Sequence, residues 1–193
     1  MARNIEIKAR LDDLEPLRYR LAALPLRGEE HLEQTDTFFQ VAHGRLKLRE
    51  LGDGSAELIY YERPDQPGAK LCRYERVRYP DAPALKRVLT AALGVRGTVT
   101  KRRDVYLVGQ TRIHLDAVEG LGTFLELEVV LDDADTPETG QKIAADLLRV
   151  LQIAPESLVS GAYVDLLYGA SHPQPMRAVV AGPVETAPDR APS

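Results

Sequence analysis

The sequence predicts an α+β fold: an eight-stranded antiparallel β-barrel, or tunnel, with helices packed outside. Three observations predict it. Eight strand-like runs alternate apolar and polar residues, turn signals join several of them directly, and few helices interrupt them. Short connections imply antiparallel hairpins, and eight such strands suit a closed or nearly closed barrel. A chain of 193 residues fits one domain plus a tail.

The first run, NIEIKAR, puts Ile5, Ile7 and Ala9 on one side and Asn4, Glu6 and Lys8 on the other, since successive strand side chains point to opposite faces. DDLEPLRYRLAAL then reads as a helix. Asp12 and Glu15 suit a capping box, Pro16 falls in the first turn, and Leu14, Leu17, Leu21 and Leu24 form an apolar stripe. Strand-like runs follow at 35–40, 44–51, 55–63 and 71–79, with GDGS as a turn signal. DAPALKRVLTAALG is the second helix. Asp81 caps it, Leu85, Val88, Leu89 and Leu93 face inward, and Gly94 stops it.

Runs at 97–108, 111–119 and 122–131 complete the strands, the last two joined by EGLG. TPETGQKIAADLLRVL is the third helix, with Thr136 as cap, Pro137 at the first helical position and a stripe of Ile143, Leu147, Leu148 and Leu151. SGAYVDLLYG holds a short fourth. The two halves share an order of strand, helix and hairpins, which hints at internal duplication. The segment from Ala170 is rich in Pro and Ala without sustained periodicity. The expected organisation is therefore a tunnel domain over 1–169 and a disordered tail over 170–193.

Composition excludes several classes. Twenty-five Lys and Arg stand against 29 Asp and Glu, for a net charge of −4. That argues against a nucleic-acid binder driven by bulk charge. Cys72 is the single cysteine, so neither an intrachain disulfide nor a cysteine metal cluster is possible. No stretch approaches the ~18 apolar residues of a membrane span, and no apolar run follows a basic start as in a secretory signal. A soluble cytoplasmic protein is expected.

The polar strand faces are unusual. Alternating charge ordinarily marks a solvent face of mixed sign. Here Arg45, Lys47 and Arg49 share one face, Glu126 and Glu128 another, and Arg112, His114 and Asp116 a third; Lys101 and Arg103 also alternate. Neighbouring like charges repel, so such faces call for counter-ions. In a barrel they can line the lumen with a basic and an acidic wall. Lys and Arg clusters bind phosphate oxygens, and carboxylates bind a hard divalent cation. A metal-complexed polyphosphate satisfies both. No Gly-rich phosphate loop is present in the sequence.

These segments (NIEIK, LKLRE, YYERPD, TKRRDVY, RIHLDAVEGLGTFLELE and SGAYVDLL) resemble the CYTH superfamily of triphosphate tunnel enzymes, nearest its class IV adenylyl cyclase-like branch. The likeness runs from Ala2 to about Gly169. It implies an eight-stranded tunnel that binds ATP or another triphosphate with Mg²⁺ or Mn²⁺. It also implies metal ligands at Glu6, Glu126 and Glu128, with Asp116 as a further acidic member. Phosphate contacts fall at Lys8, Lys47, Arg49, Lys101, Arg103 and Arg112. Lys70, after the RPDQPG loop, resembles a mobile lysine that reaches the substrate, and Tyr163 the tyrosine of a C-terminal motif. Lys8, Lys101 and Arg103 would be catalytic, Lys8 being the candidate general base. The family opening, E-x-E-x-K, has an amide here at Asn4.

The expected function is therefore an adenylyl cyclase (a phosphorus–oxygen lyase) forming cyclic AMP and pyrophosphate. The alternatives are an inorganic or organic triphosphatase, such as one acting on tripolyphosphate or thiamine triphosphate, and a non-catalytic polyphosphate binder. Neither nucleic acid nor membrane is an expected partner, and a homodimer is compatible with the resemblance. His114 is read as a hydrogen-bonding partner, because oxygen ligands are already plentiful. Cys72 is read as a wall residue, His31 and His43 as solvated near turns, and Tyr60 and Tyr61 as candidates to stack on a base.

Overall fold

The computed structural model describes residues 1–169, so the tail over 170–193 lies outside the described residues. The chain runs β1 (Ala2–Leu11), α1 (Glu15–Ala22), β2 (Glu29–Phe39), β3 (Arg45–Glu50), β4 (Ala56–Glu62), β5 (Lys70–Tyr79), α2 (Ala82–Leu93), β6 (Val95–Val108), β7 (Thr111–Val118), β8 (Gly122–Leu131), α3 (Pro137–Val150), a 3₁₀ turn at Pro155–Ser157, and α4 (Tyr163–Tyr168). All eight strands pair antiparallel into a closed barrel in the order β1-β5-β4-β3-β2-β6-β7-β8. The pattern β-α-β-β-β occurs twice, and exchanging β1–β4 with β5–β8 maps this ring onto itself.

The barrel is inverted relative to an ordinary small one. Its apolar faces point outward, under the helices. Ile5, Ile7 and Ala9 of β1, Ile113 and Leu115 of β7 and Leu125, Leu127, Val129 and Leu131 of β8 form the largest buried cluster with Leu17 and Leu21 of α1 and Ala144 of α3. Each fully buried aliphatic side chain contributes about 1.5–3 kcal/mol, so this outer layer supplies the driving force for closure. Helix α3 lies very close to the wall. A Cβ on Gly140 would stand 2.6 Å from Ile5 Cγ1 and 2.8 Å from Leu131 Cδ2, so only glycine fits there. A second cluster joins Phe39, Leu48 and Ala56 to Ala82 of α2.

The helix signals hold in part. Asp81 accepts a hydrogen bond from Ala84 N (2.8 Å), and Gly94 ends α2 at φ 74°. Thr136 caps α3 by accepting from Thr139 N (3.3 Å). The capping box expected from Asp12 is not formed: Leu14 is the N-cap, and Asp13 Oδ1 accepts from Glu15 N instead. Val88, expected inward, is 63% exposed, because Leu85, Leu89 and Leu93 already fill the contact with the wall. Strand β2 starts at Glu29 rather than near residue 35, since Glu29–Gln34 pair with Tyr106–Lys101 of β6. His31 accordingly lies in a strand, beside Asp104 (Nδ1–Oδ1 2.6 Å). No helix among the described residues is long and apolar enough to cross a membrane.

Candidate active site

The lumen encloses a cavity of about 400 Å³, lined by the polar faces of all eight strands. Alternation places Asn4, Glu6 and Lys8 of β1, Lys47 and Arg49 of β3, Lys101 and Arg103 of β6, Arg112 and His114 of β7, and Glu126 and Glu128 of β8 on it. At one end Phe38, Val99 and Tyr163 are part of an apolar cluster with Phe124 and Val164. Helix α4 is thereby seated against the tunnel. Further along, Leu32, Leu51, Ile59, Val105 and Tyr74 also line the cavity. Leu32 and Val105 neighbour each other, Leu32 pairing with Arg103 and Glu30 with Val105.

The charges are not segregated into bare walls as the sequence suggested. Closure supplies each cluster with internal counter-ions. Asp36, 2% exposed, accepts from Lys47 Nζ (2.8 Å), Arg49 Nε (2.8 Å) and Arg49 Nη2 (2.9 Å). Burial alone would raise Asp36, but Lys47 and Arg49 outweigh it and hold its carboxyl well below the usual range. Arg103 donates through Nε to Asp116 Oδ1 (2.6 Å) and through Nη2 to Asp116 Oδ2 (2.6 Å) and Glu126 Oε2 (2.5 Å). Lys8 Nζ lies 3.2 Å from Glu126 Oε1. Arg112 donates to Glu128 Oε2 through Nε (2.9 Å) and Nη2 (2.7 Å). Burial would raise Glu128, yet His114 and Arg112 lower it to about 2. Burial likewise opposes ionisation of Glu126, and Lys8 and Arg103 overcome it.

Glu6 differs. Burial raises its pKa, Arg63 opposes the rise, and Glu126 adds to it. Glu6 faces Glu128 across the β1–β8 ladder, next to Lys8 facing Glu126. Among the described residues, Asn4 Oδ1, Glu6 Oε1 and His114 Nδ1 are buried and find no hydrogen-bond partner. Donor atoms of His114, Glu126 and Glu128 all lie within 4.8 Å of one another. Crowded carboxylates beside unpartnered acceptors form a donor set that fits a divalent cation. Opposite it, Lys101 Nζ stays 3.7 Å from Asp116 and makes no hydrogen bond to a described residue. Burial, with Arg103 alongside, lowers Lys101 to about 7.

Other sequence-predicted residues sit as follows. Asp116, fully buried, is taken up by Arg103 and by Tyr163, whose hydroxyl donates to Oδ2 (2.8 Å). Lys8 Nζ sits 3.7 Å above the Tyr163 ring. Lys70 departs from expectation. It opens β5 opposite Glu6 and is 1% exposed. Its Nζ faces Val159 O at 3.5 Å, and burial, then Arg63, lowers it to about 8. Strand pairing thus anchors it at the wall where a mobile loop residue was expected. Cys72 lines the cavity, and burial pushes its thiol up to about 12. Tyr61 faces the lumen, whereas Tyr60 bonds Glu62.

Sequence reasoning missed Asp36 and Arg63. Arg63 donates to Gly161 O (2.8 Å) and places Nη1 3.4 Å from Glu6 Oε1. Both were within reach of the alternation argument. Gln34, Asp36 and Phe38 share one face of β2, and Glu57, Ile59, Tyr61 and Arg63 continue one face of β4.

Comparison with known proteins agrees with this architecture. The CYTH domain model matches residues 2–163. An adenylate cyclase CyaB of Aeromonas hydrophila is 30% identical over 171 residues, covering 83% of this chain and 86% of the relative. A putative adenylate cyclase of Methanocaldococcus jannaschii, MJ0240, is 24% identical over 84% of this chain and 97% of its own. The solved structure of the PH1012 protein from Pyrococcus horikoshii OT3 superposes with a TM-score of 0.70 at 26% identity, over 84% of this chain and 98% of that one. An inverted eight-stranded tunnel, its charged lumen and a family match over nearly all of the described residues lead to one assignment: this chain belongs to the CYTH family.

Proposed function

We propose that the protein is an adenylyl cyclase that converts ATP into cyclic AMP and pyrophosphate in this tunnel, with Mg²⁺ or Mn²⁺. The observation that carries the reading is the mixed lining of the cavity. Leu32, Leu51, Val105, Ile59 and Tyr74 line it among the carboxylates and cations, Ile59 opposite Lys47 and Arg76 and Leu32 opposite Arg103. Inorganic triphosphate needs only the charged groups, whereas a nucleotide also presents a flat, largely apolar base that apolar wall residues suit. The relative named as an adenylate cyclase supports the same choice.

Glu6, Glu126 and Glu128 would hold the metal, with Asn4 Oδ1 as a neutral oxygen beside them. When bound, the metal neutralises phosphate oxygens and lowers the pKa of a coordinated hydroxyl. Lys101, which makes no hydrogen bond to a described residue, and Lys8 would donate to the phosphate oxygens, and Arg112 and the Lys47–Arg49 pair would extend the cationic track. Arg103 is held by Asp116 and Glu126, so its fork is preorganised before substrate arrives. In-line attack of the ribose 3′-hydroxyl oxygen on the α-phosphorus forms the cyclic ester bond and breaks the bond to the β-phosphate. The hydroxyl proton leaves to solvent, because Lys8, the base candidate from sequence, is ion-paired with Glu126, and pyrophosphate departs with its charge stabilised by Lys8, Lys101, Arg103 and Arg112.

Incubation with ATP, or with tripolyphosphate, and Mg²⁺ or Mn²⁺ tests the proposal when products are resolved by chromatography. Cyclic AMP plus pyrophosphate is the expected result. Phosphate release without cyclisation would make the protein a triphosphatase, and saturable binding without turnover would make it a polyphosphate binder.

A further inference from the structure

We infer that His114 is a metal-selecting ligand, whose Nδ1 joins Glu126 and Glu128 in a mixed nitrogen–oxygen site favouring first-row transition cations over Mg²⁺. The inference rests on the metal-dependent reading above and deepens it. His114 is 4% exposed. Its Nδ1 lies 3.8 Å from Glu126 Oε2 and 3.9 Å from Glu128 Oε1. Both separations exceed a hydrogen bond, so the hydrogen-bonding role expected from sequence is not formed at Nδ1. They do suit a shared cation: two donors each about 2.1 Å from one ion stand at most ~4.2 Å apart.

The orientation is built in. His114 pairs with Glu126 across the β7–β8 ladder, while Glu128 pairs with Arg112 on β7 and with Glu6 on β1. Arg103 occupies Glu126 Oε2, Lys8 approaches Glu126 Oε1, and Arg112 occupies Glu128 Oε2. Glu128 Oε1 and the His114 nitrogen are left facing each other. A buried nitrogen with no partner costs free energy until something binds it. Mg²⁺ prefers oxygen donors, whereas imidazole strengthens sites for transition ions.

The test loads the full-length protein with Mn²⁺ as an electron-spin-resonance probe. Pulsed spectra are expected to show a ¹⁴N coupling to the bound ion, replaced by a ¹⁵N coupling when histidine is ¹⁵N-labelled. Titrations should show His114→Asn weakening Mn²⁺ by roughly tenfold to 100-fold and Mg²⁺ by less than about threefold. Mn²⁺ bound saturably without nitrogen coupling overturns this inference and leaves the metal reading intact. Parallel loss of both metals in the variant also overturns it. Absence of saturable Mn²⁺ binding overturns both together. The labelling result is read on the wild-type chain, so it stands even if the variant fails to fold.

Discussion

Two sides of the same lumen treat buried charge in opposite ways. On β2 and β3, Asp36 takes up Lys47 and Arg49 with three hydrogen bonds. On β1 and β7, Asn4 Oδ1, Glu6 Oε1 and His114 Nδ1 lie buried with no hydrogen-bond partner among the described residues. The carboxylate on the first side is saturated, although Gln34 Oε1 nearby on β2 is also unpartnered. The second side gathers unmet acceptors around carboxylates, with Arg63 Nη1 3.4 Å from Glu6 Oε1. Buried polar atoms are nearly always satisfied, so the contrast separates a preorganised pair of cations from a candidate metal-ligand set within one cavity. Like charges in a row therefore do not by themselves mark candidate ligand positions. Unmet hydrogen-bonding capacity beside carboxylates does.

The contrast breaks most forcefully at Asp36. Replacing Asp36 by Ala strands Lys47 and Arg49 beside each other, at an expected loss of about 3–5 kcal/mol in unfolding free energy, read by denaturant titration. Saturating tripolyphosphate should restore part of that loss, because its oxygens replace the missing carboxylate. On the other side, Glu126→Gln should lower turnover by at least ~100-fold while circular dichroism keeps the native signature. Wild-type activity in that variant would remove Glu126 from the metal set.

A smaller effect probes the cations. Lys101 is lowered to about 7 in the free protein, by burial and then by Arg103, against an ordinary lysine value of ~10.4. Near pH 8 it is therefore mostly neutral, and an arriving polyanion raises its pKa. Triphosphate binding should take up close to one proton at pH 8 and fewer at pH 6, measured from the buffer dependence of calorimetric enthalpies. Equal proton uptake at both pH values would count against this role. The smallest change expected is at Asn4. Asn4→Glu should tighten Mn²⁺ several-fold by adding a charge where a neutral oxygen now lines the site, and an unchanged titration would place Asn4 outside it.

Much of this was legible from local pattern. The period-two alternation in NIEIKAR, RLKLREL and FLELEVV identified which side chains share a face, and the barrel walls follow it. Asp81 and Thr136 were readable as caps because an N-cap bond spans only three residues. Lys70 was expected to be mobile because a loop precedes it, whereas the β1–β5 ladder holds its backbone opposite Glu6. Asp36 was passed over because a lone carboxylate among threonines and phenylalanines does not make a charged face, although alternation puts it beside Gln34 and Phe38.

What the sequence alone determined was sidedness: eight strands, a charged face and an apolar face on most of them, and helices able to cover the apolar one. Those properties depend on neighbours a few residues apart. Which charge meets which was decided only by closure and register. Closure sets Lys8 beside Glu126, 118 positions later in the chain, and Tyr163 against Asp116. It also leaves the His114 nitrogen between two carboxylates with neither close enough to bond. No local periodicity encodes such distances, because they arise where strands remote in sequence are brought into one ring.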